Sequence, residues 1–88
     1  MTETESAQWR RVQWHSRRGM LELDLALVPF VEQLYPQLTE RDQAVYRRLL
    51  ECEDTELFAW VLQKERPADA ELADMVDRII SHARQVKD

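Results

Sequence analysis

The chain has 88 residues, 44% hydrophobic and 33% charged, with 12 basic and 17 acidic side chains giving a formal net charge of −5. That is enough for one domain with its own core, too apolar for a disordered chain, and of the wrong sign for broad binding to nucleic acid or an anionic membrane. One cysteine, Cys52, excludes an internal disulfide and a cysteine zinc site, and one glycine leaves strands and hairpins without their usual punctuation.

These limits predict an all-α protein: a single small domain over residues 1–88, about five helices in a compact bundle, with residues 1–6 and 86–88 frayed. The first eight residues lack the basic and apolar regions of a secretory signal and are too acidic for a transit peptide. No apolar run approaches the ~20 residues that cross a bilayer. With the lone cysteine, this points to a bacterial cytoplasmic protein that is not inserted in a membrane.

The first helix is expected over 6–17. It carries Trp9, Val12 and Trp14, and Gly19 stands where a helix C-terminal glycine would sit. Trp9 and Trp14 cannot both be central on one face, so one of them is free to close over the second helix.

The second and most apolar helix is expected over 20–35, stopped by Pro36. At 100° per residue, Met20, Leu23, Leu27, Val31 and Leu34 share one face, flanked by Leu21, Val28 and Tyr35 on one side and Phe30 on the other. Arg18, Glu22, Ala26, Pro29 and Gln33 fall opposite. That face reads as a low surface open to another protein, with Pro29 a structural residue that bends the helix. Asp24 projects among the apolar residues. Its carboxylate therefore needs an indole N–H, an arginine or a free backbone amide, which makes it a structural residue.

Thr39 and Asp42 resemble a capping box for a third helix that presents Val45, Leu49 and Leu50 inward and ends near residue 51. Asp54 is a suitable N-cap for a fourth, with Leu57, Phe58, Val61 and Leu62 as its stripe. Trp60 lies off that stripe. It is a candidate anchor for a partner, with packing under a neighbouring helix as the alternative. Residues 63–67 form an exit loop, and Asp69 caps a fifth helix striped by Leu72, Met75, Val76, Ile79, Ile80 and Ala83.

Charge is unevenly spread. Arg10, Arg11, Arg17 and Arg18 precede residue 23, whereas residues 39–77 hold eleven acids against five bases. His15 and His82 have no Cys, His or Asp cluster beside them, so no metal site or catalytic constellation is expected. Cys52 reads as a small, partly buried filler. Arg18 and Glu22, spaced i to i+4 with Gly19 between them, place a cation, an anion and bare backbone in one patch. Spacing alone does not separate a docking site from an ordinary turn.

The stretch Trp14-His15-Ser16-Arg17-Arg18-Gly19-Met20-Leu21-Glu22-Leu23-Asp24, followed by Pro29-Phe30, resembles the signature of the succinate dehydrogenase flavinylation (FAD assembly) factor family, the SdhE or YgfY type. Leu49-Leu50-Glu51, Asp54, Leu57-Phe58-Ala59-Trp60 and Pro67-Ala68-Asp69 agree in order and spacing. The resemblance implies a five-helix fold and an RGxxE motif, here Arg18, Gly19 and Glu22, at the contact with a client. Arg17 and Trp60 join it as candidate partner-binding residues. The implied clients are the flavoprotein subunits of succinate dehydrogenase and fumarate reductase, in which FAD becomes attached to a histidine. FAD would belong to the client. One departure is the loop Gln63-Lys64-Glu65-Arg66, which has no glycine where relatives often have one.

The expected role is thus a monomeric, non-catalytic assembly factor that promotes covalent attachment of FAD to its client. The alternative, also implied by the resemblance, is an antitoxin-like regulator that binds a membrane toxin through the same surface. An enzyme would need a nucleophile, a base and oxyanion donors that the chain does not display. The absence of a Gly-rich phosphate loop predicts no tight binding of free FAD.

Overall fold

The computed structural model describes residues 3–87, with side chains described for 7–85. Of the residues expected to fray, 1, 2 and 88 lie outside the described residues, and 3–6, 86 and 87 are helical backbone. The described residues form five α-helices and one 3-10 turn. These are α1 (Glu3–His15), α2 (Leu21–Gln33), the 3-10 turn Tyr35–Gln37, α3 (Glu40–Leu50), α4 (Asp54–Val61) and α5 (Ala70–Lys87). The domain is all-α, and no helix among the described residues is long and apolar enough to cross a membrane.

Helix α2 is central because it is apolar around most of its circumference. It packs against α1, α4 and α5, while α3 closes onto α5. Leu23, Leu27 and Phe30 of α2 are fully buried with Tyr46 and Leu49 of α3, Leu57 of α4 and Ile79 of α5. Each such aliphatic side chain contributes ~1.5–3 kcal/mol through removal from water. An aromatic ladder crosses the core. Trp9 stacks on Tyr35 at 5.8 Å, Tyr35 meets Tyr46 at 5.4 Å, and Tyr46 stacks on Phe30 at 5.5 Å. His82 adds an edge contact to Phe30 at 6.0 Å. The ladder joins α1, the 3-10 turn, α3, α2 and α5, each contact contributing ~0.5–1.5 kcal/mol beyond burial.

The buried sector of α2 is rotated from the expected one. Ala26, placed by the wheel on the outer face, is 4% exposed and belongs to the core, while Leu21 is 70% exposed and Leu25 63%. The physical reason is that Ala26 lies about 100° from Leu27 but only about 40° from Phe30 on the wheel, and the sector covered by the neighbouring helices is centred between Leu27 and Phe30. Arg18, Gly19 and Met20 lie outside α2, which begins only at Leu21, so Arg18 does not mark its outer face. Pro29 sits within α2, half-buried, in a helix that continues past it.

Caps decide most of the other boundaries. Thr39 Oγ1 accepts from the Asp42 amide at 3.1 Å. Asp69 Oδ1 accepts from Glu71 and Leu72 at 2.8 and 3.1 Å, holding two of the first free amides of α5. Asp54 is not the cap of α4. That place belongs to Glu53, whose amide donates to Glu56 Oε1 at 3.1 Å, and Asp54 is the first helical residue, with its carboxylate turned to another task. The exit from α4 is a Schellman closure: Lys64 donates to the Ala59 carbonyl at 2.8 Å and Gln63 to that of Trp60 at 3.1 Å. Gln63 takes the left-handed conformation, φ +64°, that a glycine would adopt without strain.

Six of the eleven acids in residues 39–77 are ion-paired within the domain. Arg48 bridges Asp69 at 2.6 Å and Glu71 at 3.0 Å, Arg41 reaches Glu71 at 2.7 Å, and Arg78 reaches Asp42 at 3.1 Å. Arg66 holds both Asp77 carboxylate oxygens, at 2.9 and 2.8 Å. These pairs clasp α3 and the 63–67 loop to α5.

Candidate functional site

Residues 16–20 connect α1 to α2, and the amides of Ser16, Arg17, Arg18 and Gly19 and the side chains of Ser16 and Arg18 are held by hydrogen bonds within the chain. Ser16, fully buried at the end of α1, donates its hydroxyl to the Val12 carbonyl at 2.9 Å. The Tyr46 phenol lies 2.7 Å from the same oxygen and, since that hydroxyl proton is already directed to Val12, acts as the donor. Burial pushes the Tyr46 phenol well above its ordinary range.

Asp24 reaches back from the first turn of α2 to the connecting residues. Oδ1 accepts from the Arg18 amide at 2.7 Å and Oδ2 from the Gly19 amide at 3.2 Å. Of the three kinds of partner its sequence position calls for, it finds the free backbone amide, twice. The carboxylate thereby acts as a cap for the turn and satisfies donors that no helix uses.

Arg18 departs from the sequence expectation. Its side chain is only 15% exposed and does not pair with Glu22. Nε donates to Asp54 Oδ1 at 2.8 Å, Nη1 to the His15 carbonyl at 2.8 Å, and Nη2 to the Cys52 carbonyl at 3.0 Å. The i to i+4 pairing fails because it presupposes one helix through both residues. Glu22 instead stands exposed in the first turn of α2, with no salt bridge among the described residues.

Gly19 has φ +81°, a conformation that costs an L-residue ~1–2 kcal/mol. A Cβ built there would meet nothing within 4 Å. The glycine is therefore set by backbone conformation and not by crowding within the chain, and its outer side is open to close approach. Among the described residues, the large apolar side chains left exposed all flank the turn in sequence: Trp14 at 73%, Leu21 at 70% and Leu25 at 63%. Bare backbone, an exposed carboxylate and apolar side chains thus share one end of the molecule.

Of the remaining candidates Arg17 belongs to the same turn, and Trp60 lies elsewhere. Arg17 is exposed and 3.9 Å from Glu32, a loose pair. Trp60 is half-buried, packed against the core, and lines a cleft of about 370 Å³ with residues of the 63–67 loop and α5. His15 is exposed, and His82 is buried against Phe30 with no partner for Nε2 among the described residues. Burial pushes the Cys52 thiol up, away from the reactive thiolate. No group of three or more His, Cys, Asp or Glu side chains able to hold a metal occurs among the described residues.

Sequence reasoning does not find Ser16, Tyr46 and Asp54 as parts of this turn. Ser16 and Tyr46 carry no local signal, being 30 residues apart and joined only by the fold. Asp54 does carry one, since it stands in the second block of residues that agrees with the family signature.

A family model described as Sdh5, flavinator of succinate dehydrogenase, matches residues 10–83, which include the whole turn and both elements that brace it. Proteins named FAD assembly factor SdhE are similar along nearly the same span. That of Pseudomonas aeruginosa is 50% identical over 80 residues, covering 91% of this chain and 95% of its own. That of Shewanella oneidensis is 51% identical over 73 residues, covering 83% and 89%, and that of Idiomarina loihiensis 47% over 75 residues, covering 85% and 83%. With a turn built from the residues of the RGxxE motif and a family match reaching into all five helices, this chain belongs to the succinate dehydrogenase flavinator family.

Proposed function

We propose that the protein is an FAD assembly factor that binds the flavoprotein subunit of succinate dehydrogenase and promotes covalent attachment of FAD to it, docking through the turn between α1 and α2. The observation that carries the docking surface is the open outer side of Gly19, where a Cβ meets nothing, next to the exposed Glu22 and Leu21. A related fumarate reductase subunit is a second client of the same chemistry.

The factor acts by binding and not by catalysis. Covalent flavinylation requires the flavin ring and the client side chain to be held in reactive alignment, and alignment alone can supply a large part of a barrier. A small protein that prefers the aligned conformation of the client shifts the client toward it. Gly19 lets backbone approach backbone, Glu22 offers a carboxylate to a client cation, and Leu21 and Leu25 add apolar contact. FAD is the client's ligand in this reading. The factor itself is a monomer of the bacterial cytoplasm, in keeping with the bacterial relatives and the lone cysteine.

Coexpression of the client with wild-type, Gly19→Arg or Glu22→Ala chains, followed by in-gel fluorescence of covalent flavin, tests the docking surface. Both variants are expected to lower the signal; wild-type signal from both would overturn it.

A further inference from the structure

Arg18 sits in an unusual place for a member of a docking motif. Its guanidinium is already held by one carboxylate and two carbonyls, and its side chain is mostly buried. A client group that took over this guanidinium would leave Asp54 and two carbonyls without their donor, a penalty of the same order as the new hydrogen bonds would stabilise the complex.

The surroundings explain why the cation is held there. His15 is the last residue of α1, so its carbonyl belongs to a helix C-terminus, where positive charge is favoured, while the Cys52 carbonyl stands in the α3–α4 junction, two residues past α3. Asp54 is the first residue of α4, where negative charge is favoured. One ion pair therefore complements two helix ends, the last turn of α1 and the first of α4, and ties the α3–α4 junction to the turn, across 36 residues of sequence. Asp24 holds the main chain of Arg18 and Gly19 from the other side.

We propose that Asp54, acting through Arg18, is a positioning residue for client docking. The Arg18–Asp54 bridge fixes the turn in the one conformation that presents Gly19 and Glu22 outward together, and Arg18 supports the client contact without making it. This rests on the reading of the turn as the docking surface.

The test measures the affinity of the purified full-length protein for the flavoprotein subunit of succinate dehydrogenase, well below the melting temperature of every variant. Asp54→Asn and Arg18→Gln are each expected to weaken binding about tenfold, and the double variant no more than Arg18→Gln alone. Asp54→Glu, which keeps the carboxylate, recovers part of the loss. Asp54→Asn combined with Thr55→Asp returns an acid to the first turn of α4, and so recovers melting temperature but not affinity.

Wild-type affinity of Asp54→Asn, while Glu22→Ala binds weakly, overturns the positioning role and leaves the docking surface standing. Additive losses in the double variant overturn it as well, because Arg18 would then touch the client independently of Asp54. Full recovery of affinity by Thr55→Asp reduces Asp54 to a stability residue and has the same consequence. Wild-type binding by both Glu22→Ala and Gly19→Arg instead removes the docking surface itself.

Discussion

The Ser16 hydroxyl and the Tyr46 phenol lie 2.7 Å apart with both side chains fully buried, joining the end of α1 to the middle of α3. Tyr46→Phe removes the phenol and leaves the Ser16 oxygen without a donor in a dry site. The expected cost is about 1–2 kcal/mol, a fall in Tm of roughly 4–8 °C per kcal/mol for a domain of this size. Tyr46 also gives the protein an alkaline limit. Its folded pKa is raised by burial, so the stability it contributes is complete below the unfolded value of ~10 and is lost as pH rises beyond it. Thermal melts from pH 7 to 11 should show this loss in the wild type and a shallower one in Tyr46→Phe. Parallel curves would show that Tyr46 does not set the limit.

The helices are readable in the sequence where the information is local. Thr39 and Asp69 announce the starts of α3 and α5 because an N-cap acts over three residues, and the α5 stripe repeats over enough turns to fix its inner face. The turn is readable in its composition and not in its geometry. Arg18 and Glu22 are one helical turn apart in number, yet Gly19 at φ +81° separates them, and the partner of Arg18 is 36 residues away. Ala26 is misplaced for another reason: it stands beside Phe30 on the wheel, and which side of the Leu27 stripe is covered depends on where α1, α4 and α5 pack. Asp24 can be read as needing a partner, because a carboxylate among apolar neighbours must have one, but which amides it meets depends on the fold.

Gln63 closes α4 in the left-handed region, where an L-side chain is strained and glycine is not. The two Schellman hydrogen bonds hold it there. Gln63→Gly should therefore stabilise the protein by about 1 kcal/mol, less what glycine adds to the entropy of the unfolded chain. Gln63→Val, with a branched side chain in the same conformation, should destabilise it. A urea titration of the three proteins reads the order directly, and equal midpoints for wild type and Gln63→Gly would show that the loop relaxes without strain.

The clasp on α5 predicts the acid response. The Leu72 amide, then Arg48, holds the Asp69 carboxyl below its usual range; Arg41, then Arg48, does so for Glu71, and Arg66 for Asp77. Each folded value is depressed, so the associated stability is present above the ordinary carboxylate range and is lost as pH falls through the folded values. Arg48→Gln removes one partner from both Asp69 and Glu71. Its Tm should lie below that of the wild type at pH 6 and approach it as pH falls below the ordinary carboxylate range, and 1 M NaCl should narrow the gap at pH 6 because these groups are exposed. A gap that persists unchanged at low pH would assign the effect to lost packing of the arginine stem.

Leu21 and Leu25 separate a docking role from a folding role more cleanly than any residue of the RGxxE motif. Both are well over half exposed on α2, so Leu21→Ser and Leu25→Ser should change stability by no more than about 0.5 kcal/mol. Gly19 and Arg18 offer no such separation, since one is held by its backbone angle and the other by three internal hydrogen bonds. If the apolar end of the molecule is covered by the client, the paired change Leu21→Ser/Leu25→Ser should weaken client binding by about tenfold or more, as truncation of central apolar anchors does. Ala44→Ser, an exposed change on α3, should leave binding unaltered. Covalent-flavin fluorescence should follow binding across the three proteins. Unaltered binding by the double variant would confine the client to Gly19 and Glu22 and leave the exposed leucines outside the contact.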